Sequence, residues 1–471
     1  MDTPSVPMHR PQPSLKIRLE QLGRDLCAPV DIASLVYFRI AFGLIMLWEV
    51  WRYFDHGWIS RYWIDPVMNF TYYGFDWVRP WPGIGMYLHF VGLGVLAIGI
   101  ILGCGYRLCT TLFFLGFTYI FLLEKARYLN HFYLICLLSF LLIFIPAHRA
   151  FSIDAGWRPK VRSQTAPTWA LRMLQLQLAI PYFYGGLAKL NGDWLQGEPM
   201  RMWMGDRTDF PLIGPFFTQE WMVYGLSYGG LLLDLLVVPF LIWRRTRVIA
   251  FGAALIFHLM NARLFAIGIF PWFMIAATMM FFRPDWPRLV IGLKRPLAGE
   301  NHPLAQTRKS FPLSRQQTLT LGFLGVYFAL QLLLPFRHYL YPGNVSWTEE
   351  GHRFAWHMKL RSKSADAVFV VFDAPDNIVR IIEPEEFLPR WQARKMATRP
   401  DMILQFSHFL AQEFGPEDPD AVEVRAEVFA SLNGRGYQRL VEPTVDLAQV
   451  REALTPMDWI LPLQVPLSAP S

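Results

Sequence analysis

The chain has 471 residues, of which 53% are hydrophobic, 16% aromatic and 17% charged. Soluble globular chains carry about 25% charged residues, so this composition excludes a water-soluble protein, a disordered chain and a collagen-like fibre. The 44 Lys and Arg residues exceed the 37 Asp and Glu residues and give a formal net charge of +7. In so apolar a chain the cations report membrane topology, and no nucleic-acid partner is predicted.

The four cysteines and the N-terminal segment carry little functional signal. Cys27, Cys104, Cys109 and Cys136 are widely scattered and have no Cys or His partners at metal-ligand spacing. We therefore expect neither a disulfide framework nor a metal site. Residues 1–32 are polar and Pro-rich, without the apolar core of a removable signal, and are predicted to be a cytoplasmic segment.

Long apolar runs between residues 33 and 336 predict a transmembrane helical domain. A membrane helix needs about 20 mostly apolar residues to cross about 30 Å of hydrocarbon. We count about nine such spans, several of them short. They lie near residues 33–52, 84–103, 109–124, 131–147, 169–190, 227–243, 248–264, 266–282 and 318–336.

The positive charges predict the orientation of these spans. With a cytoplasmic N-terminus, Arg107, Arg149, the Arg244–Arg247 cluster and the cations between 288 and 315 all fall in inner loops. This agrees with the positive-inside rule. An odd number of spans then places the C-terminal region on the extracytoplasmic side, which is the periplasm or exterior in a bacterium and the ER lumen in a eukaryote.

Residues 337–471 have the composition of an α+β extramembrane domain. The strand candidates are residues 354–361, 367–373, 377–382 and 423–432, and a helix is predicted over 390–413. Asn433-Gly434 indicates a hairpin-type turn. The predicted fold class is therefore an α-helical polytopic membrane protein followed by an α+β extramembrane domain.

The end of the fifth span holds a candidate base. At helical spacing, Lys189 shares a face with Tyr182, Gly185 and Gly186. The two glycines are predicted to leave room for a flat ring beneath the ammonium group. If Lys189 is buried, desolvation disfavours its charged form and leaves an amine that acts as a base near neutral pH. Snorkelling of the side chain to the membrane surface is an equally open interpretation.

Two further polar groups stand out because ionisable and amide side chains are costly inside a membrane bundle. The turn at 124–133 contains Glu124, Asn130 and His131, which either bind an oxygen-rich ligand or cap the turn. In the seventh span, His258, Asn261 and Phe265 share one face and predict a ligand-binding surface or a buried polar network. Asp234 needs a polar partner inside the bundle, and two roles are open for it: a structural contact, or pairing with a cation.

These motifs, in order and spacing, resemble the vitamin K-dependent gamma-glutamyl carboxylases. The likeness extends into the C-terminal domain and covers nearly the whole chain. The matching motifs are Tyr37-Phe38-Arg39, Glu124-Lys125, Asn130-His131, Ala188-Lys189-Leu190, Asp193-Trp194, Gly229–Asp234, Phe257-His258, Met260-Asn261, Leu264-Phe265, Ile267-Gly268, Trp391, Asp401-Met402, Gln438-Arg439, Pro443 and Val445-Asp446.

The resemblance implies a lipid-soluble cofactor, reduced vitamin K, with O2 and CO2 as co-substrates and no metal. Lys189 would deprotonate the hydroquinone, and O2 would convert it to the 2,3-epoxide through a strongly basic alkoxide. That alkoxide would remove a γ-proton from peptidyl glutamate, since no side chain has a pKa high enough to do so. His131 with Asn130 would contact ligand oxygens, and His258 with Asn261 would line the pocket.

Departures from the family leave alternatives open. This chain has Ala188-Lys189 where family members carry two lysines, and the segment 372–377 matches poorly. Epoxidation is therefore better supported than carboxylation of a protein glutamate, and a quinol epoxidase without carboxylation is one alternative. A membrane transporter or small-molecule binding protein is another. The expected partners are membrane lipids, the quinol and a glutamate-containing peptide or protein.

Overall fold

A bundle of apolar helices forms the first two thirds of the protein, and a four-stranded sheet with helices follows it. The computed structural model describes residues 14–265, 267–293, 313–373 and 378–467. The helices of the bundle and its connections are α1 (Leu15–Cys27), α2 (Ala33–Asp55), α3 (Gly85–Leu102), α4 (Tyr106–Leu123), α5 (Asn130–Phe144), α6 (Ile153–Trp157), α7 (Thr168–Ala188), α8 (Gly192–Leu195), α9 (Met200–Gly205), α10 (Glu220–Ile242), α11 (Arg247–Leu264), α12 (Phe270–Thr278), α13 (Trp286–Val290) and α14 (Arg315–Leu333).

Six of the described helices are long and apolar enough to cross a membrane, and the chain is an integral membrane protein. They are α2, α3, α4, α10, α11 and α14, the last with its continuation to Leu340. Helix α5 and the segment from Phe270 to Phe281 are apolar but shorter. Helix α7 is long enough but carries Arg172, Gln175 and Gln177, which lower its hydropathy. The predicted number of nine spans is therefore not confirmed. The predicted eighth span begins at residue 266, which lies outside the described residues.

Arg39 ties the start of α2 to the segment that follows α5. Its side chain is fully buried and donates hydrogen bonds to the carbonyl oxygens of Ala147, Ala150 and Phe151. Since a buried charge needs several polar partners, these carbonyls make the position tolerable. Arg39 thus stabilises the bundle at the end where α2 begins.

The C-terminal domain is built on one antiparallel sheet of four strands, β3 (Lys363–Asp373), β4 (Ile378–Ile382), β5 (Val422–Leu432) and β6 (Gln438–Arg439), in the order β4-β3-β5-β6. Strands β3 and β5 pair along their whole length, from Lys363 opposite Leu432 to Asp373 opposite Val422. The remaining elements of the chain are β1 (Pro29–Asp31), β2 (Thr165–Pro167), α15 (Val345–Thr348), α16 (Arg390–Ala397) and α17 (Pro400–Phe414).

Most of the predicted elements of this domain are confirmed. The strands predicted at 367–373, 377–382 and 423–432 correspond to β3, β4 and β5, although residues 374–377 lie outside the described part of the chain. The predicted single helix is two helices, because Pro400 lacks an N–H and restricts the residue before it. Asn433 and Gly434 have φ of 51° and 79°, as the predicted turn requires.

The strand predicted at 354–361 is wrong, because this segment belongs to a loop that enters the bundle. Phe354, Trp356 and Lys359 have φ of 65°, 59° and 48°, values that a strand does not allow. Trp356 is fully buried and its ring lies 4.9 Å from that of Tyr133 on α5. Ala355, Trp356 and His357 are buried one after another, which an alternating strand would not do, and we call residues 349–361 the inserted loop.

Ion pairs dock the C-terminal domain on one end of the bundle. The Lys125 ammonium lies 2.8 Å from a carboxylate oxygen of Asp401, which also accepts a hydrogen bond from Arg353 at 2.7 Å. On another side, Asp193 pairs with Arg435 at 2.7 Å. Because these pairs join residues far apart in the chain, they fix how the domain sits over the helix ends.

Candidate functional site

A cavity of about 930 Å³ lies at the end of the bundle that carries the C-terminal domain. Its walls come from α5, α7, α10 and α11, with further residues from the inserted loop and α16. A volume of this size suits an organic ligand, and most of the wall is apolar. Seven of the predicted site residues line this cavity: Asn130, His131, Tyr182, Lys189, His258, Asn261 and Phe265.

Lys189 forms a buried ion pair with Asp234 of α10, and we call these two residues the paired set. The Lys189 Nζ lies 2.6 Å from Asp234 Oδ2 and donates a second hydrogen bond to the Gly185 carbonyl oxygen at 3.2 Å. Both residues are at most 6% exposed. The snorkelling interpretation is therefore wrong for Lys189, and pairing with a cation is the role that the structure supports for Asp234.

Gly185 and Gly186 do not line the cavity, which corrects their predicted role. A Cβ at Gly186 would lie 2.7 Å from Leu235 Cδ2 and 3.1 Å from the Leu235 nitrogen. A Cβ at Gly185 would lie 3.4 Å from Asp234 Oδ2. Gly186 thus makes room for α10, and Gly185 makes room for Met358 of the inserted loop, 3.1 Å from the added Cβ, and for Asp234. The close contact between α7 and α10 brings Asp234 to Lys189.

His258 and Tyr182 join α11 to α7 through one hydrogen bond. The Tyr182 hydroxyl and His258 Nε2 are 2.7 Å apart. His258 is 1% exposed, and its Nδ1 has no partner in the described part of the chain. The hydrogen bond at Nε2 fixes the orientation of the ring, whose other atoms form part of the cavity wall.

Asn261 and Phe265 continue the same wall of the cavity. The Asn261 side chain makes no hydrogen bond to any described residue, so its amide is free for a ligand. The Phe265 ring lies 5.5 Å from that of Trp203 in an edge-to-face arrangement. Together they place one polar group on an otherwise aromatic wall.

Asn130 and His131 line the opposite part of the cavity wall, and they differ in whether their side chains are hydrogen-bonded. The Asn130 amide donates to the His357 carbonyl oxygen at 3.1 Å and accepts from the Tyr128 hydroxyl at 3.0 Å. His131 makes no hydrogen bond within the described ranges, and its ring lies 5.6 Å from that of Phe270. Asn130 therefore anchors the start of α5, while the His131 imidazole is available to a ligand.

Glu124 lies outside the cavity, which corrects its predicted binding role. Its carboxylate accepts hydrogen bonds from the Ala126 nitrogen at 2.8 Å, Asn69 Nδ2 at 3.1 Å and Gln392 Nε2 at 2.9 Å. Burial raises the pKa of Glu124 to about 7, and these hydrogen bonds oppose that rise. Because its partners come from three segments, Glu124 joins the bundle to α16 instead of facing a ligand.

Five cavity-lining cations were not predicted from the sequence, and two of them, Arg52 and Arg361, form ion pairs with Glu49 and Glu349. We call Arg127, Lys359 and Lys395 the cationic set, because none of them forms an ion pair with a described carboxylate. The Arg127 guanidinium lies 3.8 Å from the centre of the Tyr62 ring, and Lys359 Nζ lies 4.4 Å from that of Phe265. The ring faces stabilise these charges without neutralising them.

Lys395 reaches the same cavity from the C-terminal domain. The neighbouring Arg399 guanidinium lowers the pKa of Lys395 to about 7. Of the charged residues that line the cavity, six are cations and two are carboxylates. The positive excess favours an anionic ligand. Little in the sequence indicated that these cations would line a cavity. Arg127 lies in the turn at 124–133, where other residues were singled out, and Lys359 lies in the segment that was predicted to be a strand.

Two family models match the chain. The HTTM domain family matches residues 27–286. The vitamin K-dependent gamma-carboxylase lumenal domain matches residues 316–465. No solved structure shows a significant match. Within the described residues, no group of three His, Cys, Asp or Glu side chains is arranged to hold a metal ion. The chain belongs to the vitamin K-dependent gamma-carboxylase family.

Proposed function

We propose that the protein couples oxidation of vitamin K hydroquinone by O2, giving the 2,3-epoxide, to carboxylation of peptidyl glutamate, giving γ-carboxyglutamate. The observation that carries the proposal is the Lys189–Asp234 pair, 2.6 Å apart and buried beside a large, mostly apolar cavity. A buried proton donor–acceptor pair next to an apolar cavity suits proton removal from a lipid-soluble quinol.

The described residues fit such a quinol. The ring is flat and apolar with a hydroxyl at each side, and the cavity offers aromatic walls with Lys189, His131 and His258 as separated polar contacts. The His131 imidazole and the Asn261 amide, which make no side-chain hydrogen bond to a described residue, support ligand oxygens beside them. When bound, the quinol supplies the electrons that reduce O2 and the strong base that removes the γ-proton of glutamate.

Lys189 acts as the base through a relay to Asp234. Because the ammonium form is stabilised by the adjacent carboxylate, Lys189 is not the isolated neutral amine that burial alone would favour. Its Nζ accepts the proton of a quinol hydroxyl while one of its own protons passes to Asp234 Oδ2. The pair changes from neutral to a single positive charge, which stabilises the anion formed beside it.

Several neighbours hold this arrangement in place. The Tyr182 hydroxyl orients the His258 ring, and Asn130 holds the start of α5 so that His131 faces the cavity. Trp356 and Met358 of the inserted loop pack over the α7 turn at Gly185. Because Lys189 and Asp234 are both buried, their electrostatic interaction is stronger than it would be in water.

The cationic set is the proposed site for the glutamate carboxylate. Arg127, Lys359 and Lys395 lie on loops and on α16, where a peptide can approach from the C-terminal domain. Carboxylation adds a second negative charge to the same side chain, which unpaired cations stabilise. Epoxidation without carboxylation is the second candidate, because the contacts of the paired set do not involve the cationic set.

The proposed orientation has a cytoplasmic N-terminus and an extracytoplasmic C-terminal domain. The start of α2 is tied by Ser34 to the Pro284 carbonyl oxygen, whereas Arg52 near its other end lines the cavity with Lys395. A helix of 23 residues is about 34 Å long. That length supports placement of the two chain regions on opposite sides of the bilayer, with the surrounding lipids as partners.

One assay tests the proposal. Purified protein is incubated with vitamin K hydroquinone, O2, labelled bicarbonate and a glutamate peptide, and both epoxide and fixed label are measured. We expect both products. Epoxide without fixed label excludes the carboxylase and supports the second candidate, whereas the absence of both contradicts the proposed function.

A further inference from the structure

Helix α1, which precedes the first membrane span, has an exposed apolar face. Leu15, Leu19 and Leu22 are spaced by four and three residues and therefore share one face of the helix, which we call the leucine stripe. They are 73%, 59% and 55% exposed. Ile17, which is also exposed, lies on the other side of α1 and is not part of the stripe. A row of large aliphatic side chains on a surface is typical of a face that binds a partner.

A different face of α1 packs on the bundle. Gly23 is buried, and a Cβ at this position would lie 2.8 Å from Leu313 Cδ1 and 3.3 Å from Leu321 Cδ1. At 3.6 residues per turn, Gly23 is about one fifth of a turn away from the middle of the leucine stripe. Helix α1 is therefore held against the start of α14 while its leucines point away from the bundle.

The contact with α14 indicates how deep α1 lies in the membrane. Helix α14 and its continuation form a candidate span that begins at Arg315, a cation that marks the head-group region. Leu321 is six residues further along this helix, which is about 9 Å along its axis. Amphipathic helices of the membrane surface are buried about 5–10 Å into the boundary between head groups and acyl chains. Helix α1 thus lies at the depth at which such helices bind.

The surroundings of α1 at this depth are lipid. Just past its start, α14 exposes Leu319, Phe323 and Val326, which in a membrane span face hydrocarbon. Lys16 and Arg18 follow the helical spacing onto the two borders of the leucine stripe. Long cationic side chains at such borders place their stems along apolar surface and their charges among phosphates.

We propose that α1 lies in the surface of the bilayer at the end of the bundle where α2 begins. The leucine stripe is inserted among the acyl chains, and Lys16 and Arg18 contact phospholipid phosphates. The partner of this surface is the phospholipid leaflet itself, not a second protein. This inference is independent of the proposed function, because α1 contributes no residue to the cavity.

The test measures the depth of α1 in the whole chain. A fluorescent amino acid whose emission depends on polarity replaces Leu19 or, as the matched control, Gln21, an exposed residue on the opposite side of α1. Each protein is placed in phospholipid nanodiscs and quenched either by lipids with a nitroxide near the head group or by aqueous iodide. At position 19 we expect blue-shifted emission, quenching by the nitroxide lipid and loss of iodide quenching. Position 21 should show the reverse.

Two results of this experiment would overturn the proposal. Equal quenching by iodide at both positions would place the leucine stripe in water. Protection of position 19 from both quenchers would show that protein, and not lipid, covers the stripe.

A second measurement avoids the probe. The double variant Leu19→Glu and Leu22→Glu should show faster amide hydrogen exchange along α1 in nanodiscs than the wild type, because carboxylates do not remain among acyl chains. Gln21→Glu adds a charge on the opposite side and should leave the exchange unchanged. Exchange in the double variant that equals that of the wild type would contradict insertion of the stripe.

Discussion

The paired set and the cationic set face the same cavity but differ in how their charges are balanced. Lys189 has a carboxylate 2.6 Å away inside the bundle. Arg127, Lys359 and Lys395 have aromatic rings or other cations as neighbours and no described carboxylate in an ion pair. A matched donor and acceptor is suited to moving a proton, whereas unmatched cations are suited to holding an anion.

The two sets also come from different parts of the fold. Both members of the paired set are on helices of the bundle or at their ends, where packing restricts their geometry. The cationic set comes from a turn, the inserted loop and α16 of the other domain. Proton transfer needs a fixed distance, and an anion site tolerates longer and more mobile side chains. Substitutions in each set should therefore have distinct kinetic effects.

Loss of the base should have the largest effect. Lys189→Ala is expected to lower the rate of epoxide formation by about 10²- to 10⁴-fold, because positioned proton transfer contributes that much. The rate is measured per molecule of folded protein with saturating hydroquinone. Lys160→Ala is a matched control, since Lys160 is an exposed lysine that does not line the cavity. A Lys189→Ala protein with full activity would remove Lys189 from the mechanism.

Replacement of the relay acceptor should have the next largest effect. Asp234→Asn is expected to lower the epoxide rate about 10²-fold, the lower end of the range for proton transfer. It also leaves a buried ammonium without a counter-charge, which should cost about 3–5 kcal/mol of unfolding free energy. Chemical denaturation measures the second effect separately.

A conservative variant separates relay from charge balance. Asp234→Glu retains a carboxylate and should recover part of the rate that Asp234→Asn loses. The pH dependence of the rate is recorded for both variants. If Asp234→Asn is less stable but has the wild-type rate and pH profile, Asp234 only balances the charge of Lys189.

Binding of the glutamate peptide should depend on pH because of Lys395 in the cationic set. Because the pKa of Lys395 is about 7, this side chain is charged below pH 7 and loses its charge as the pH rises through that value. The KM for the glutamate peptide should therefore rise with pH, by roughly tenfold for a lost charge-assisted contact. Lys395→Arg keeps the charge and should flatten this dependence. The same pH profile in both proteins would contradict the role of Lys395.

Substitution of Glu124 should have the smallest effect on activity, because Glu124 belongs to neither the paired set nor the cationic set. Glu124→Gln replaces an acceptor oxygen by an NH2 group among hydrogen-bond donors and should cost about 1–3 kcal/mol of stability. The epoxide rate per folded molecule should not change. Chemical denaturation measures the change in stability, and the epoxide assay measures the rate. A raised KM for the hydroquinone would show that Glu124 contributes to the binding site.

Local patterns in the sequence were enough to predict much of the fold and part of the site. Apolar runs predicted a membrane bundle, and alternation predicted β3, β4 and β5. Lys189, His131 and His258 were found because ionisable groups are rare inside such a bundle. These signals are properties of a short segment and do not depend on its neighbours in space.

Local patterns were insufficient where a contact joins distant segments. The role of Gly186 depended on Leu235 of another helix, and that of Glu124 depended on Gln392 of another domain. The strand predicted at 354–361 was wrong because the apolar residues alternate in sequence, but the segment is a loop that buries the consecutive residues Ala355, Trp356 and His357. The cationic set was missed because its members come together only when the C-terminal domain docks.

The sequence by itself determined that this is a membrane protein, where its polar groups lie along the helices, and that Lys189 is the candidate base. The tertiary structure alone decided that Asp234 is the partner of Lys189 and that the cations of two domains face one cavity. The physical reason is that helical periodicity tells which residues share a face of one helix. Which helix that face meets is decided by packing between segments.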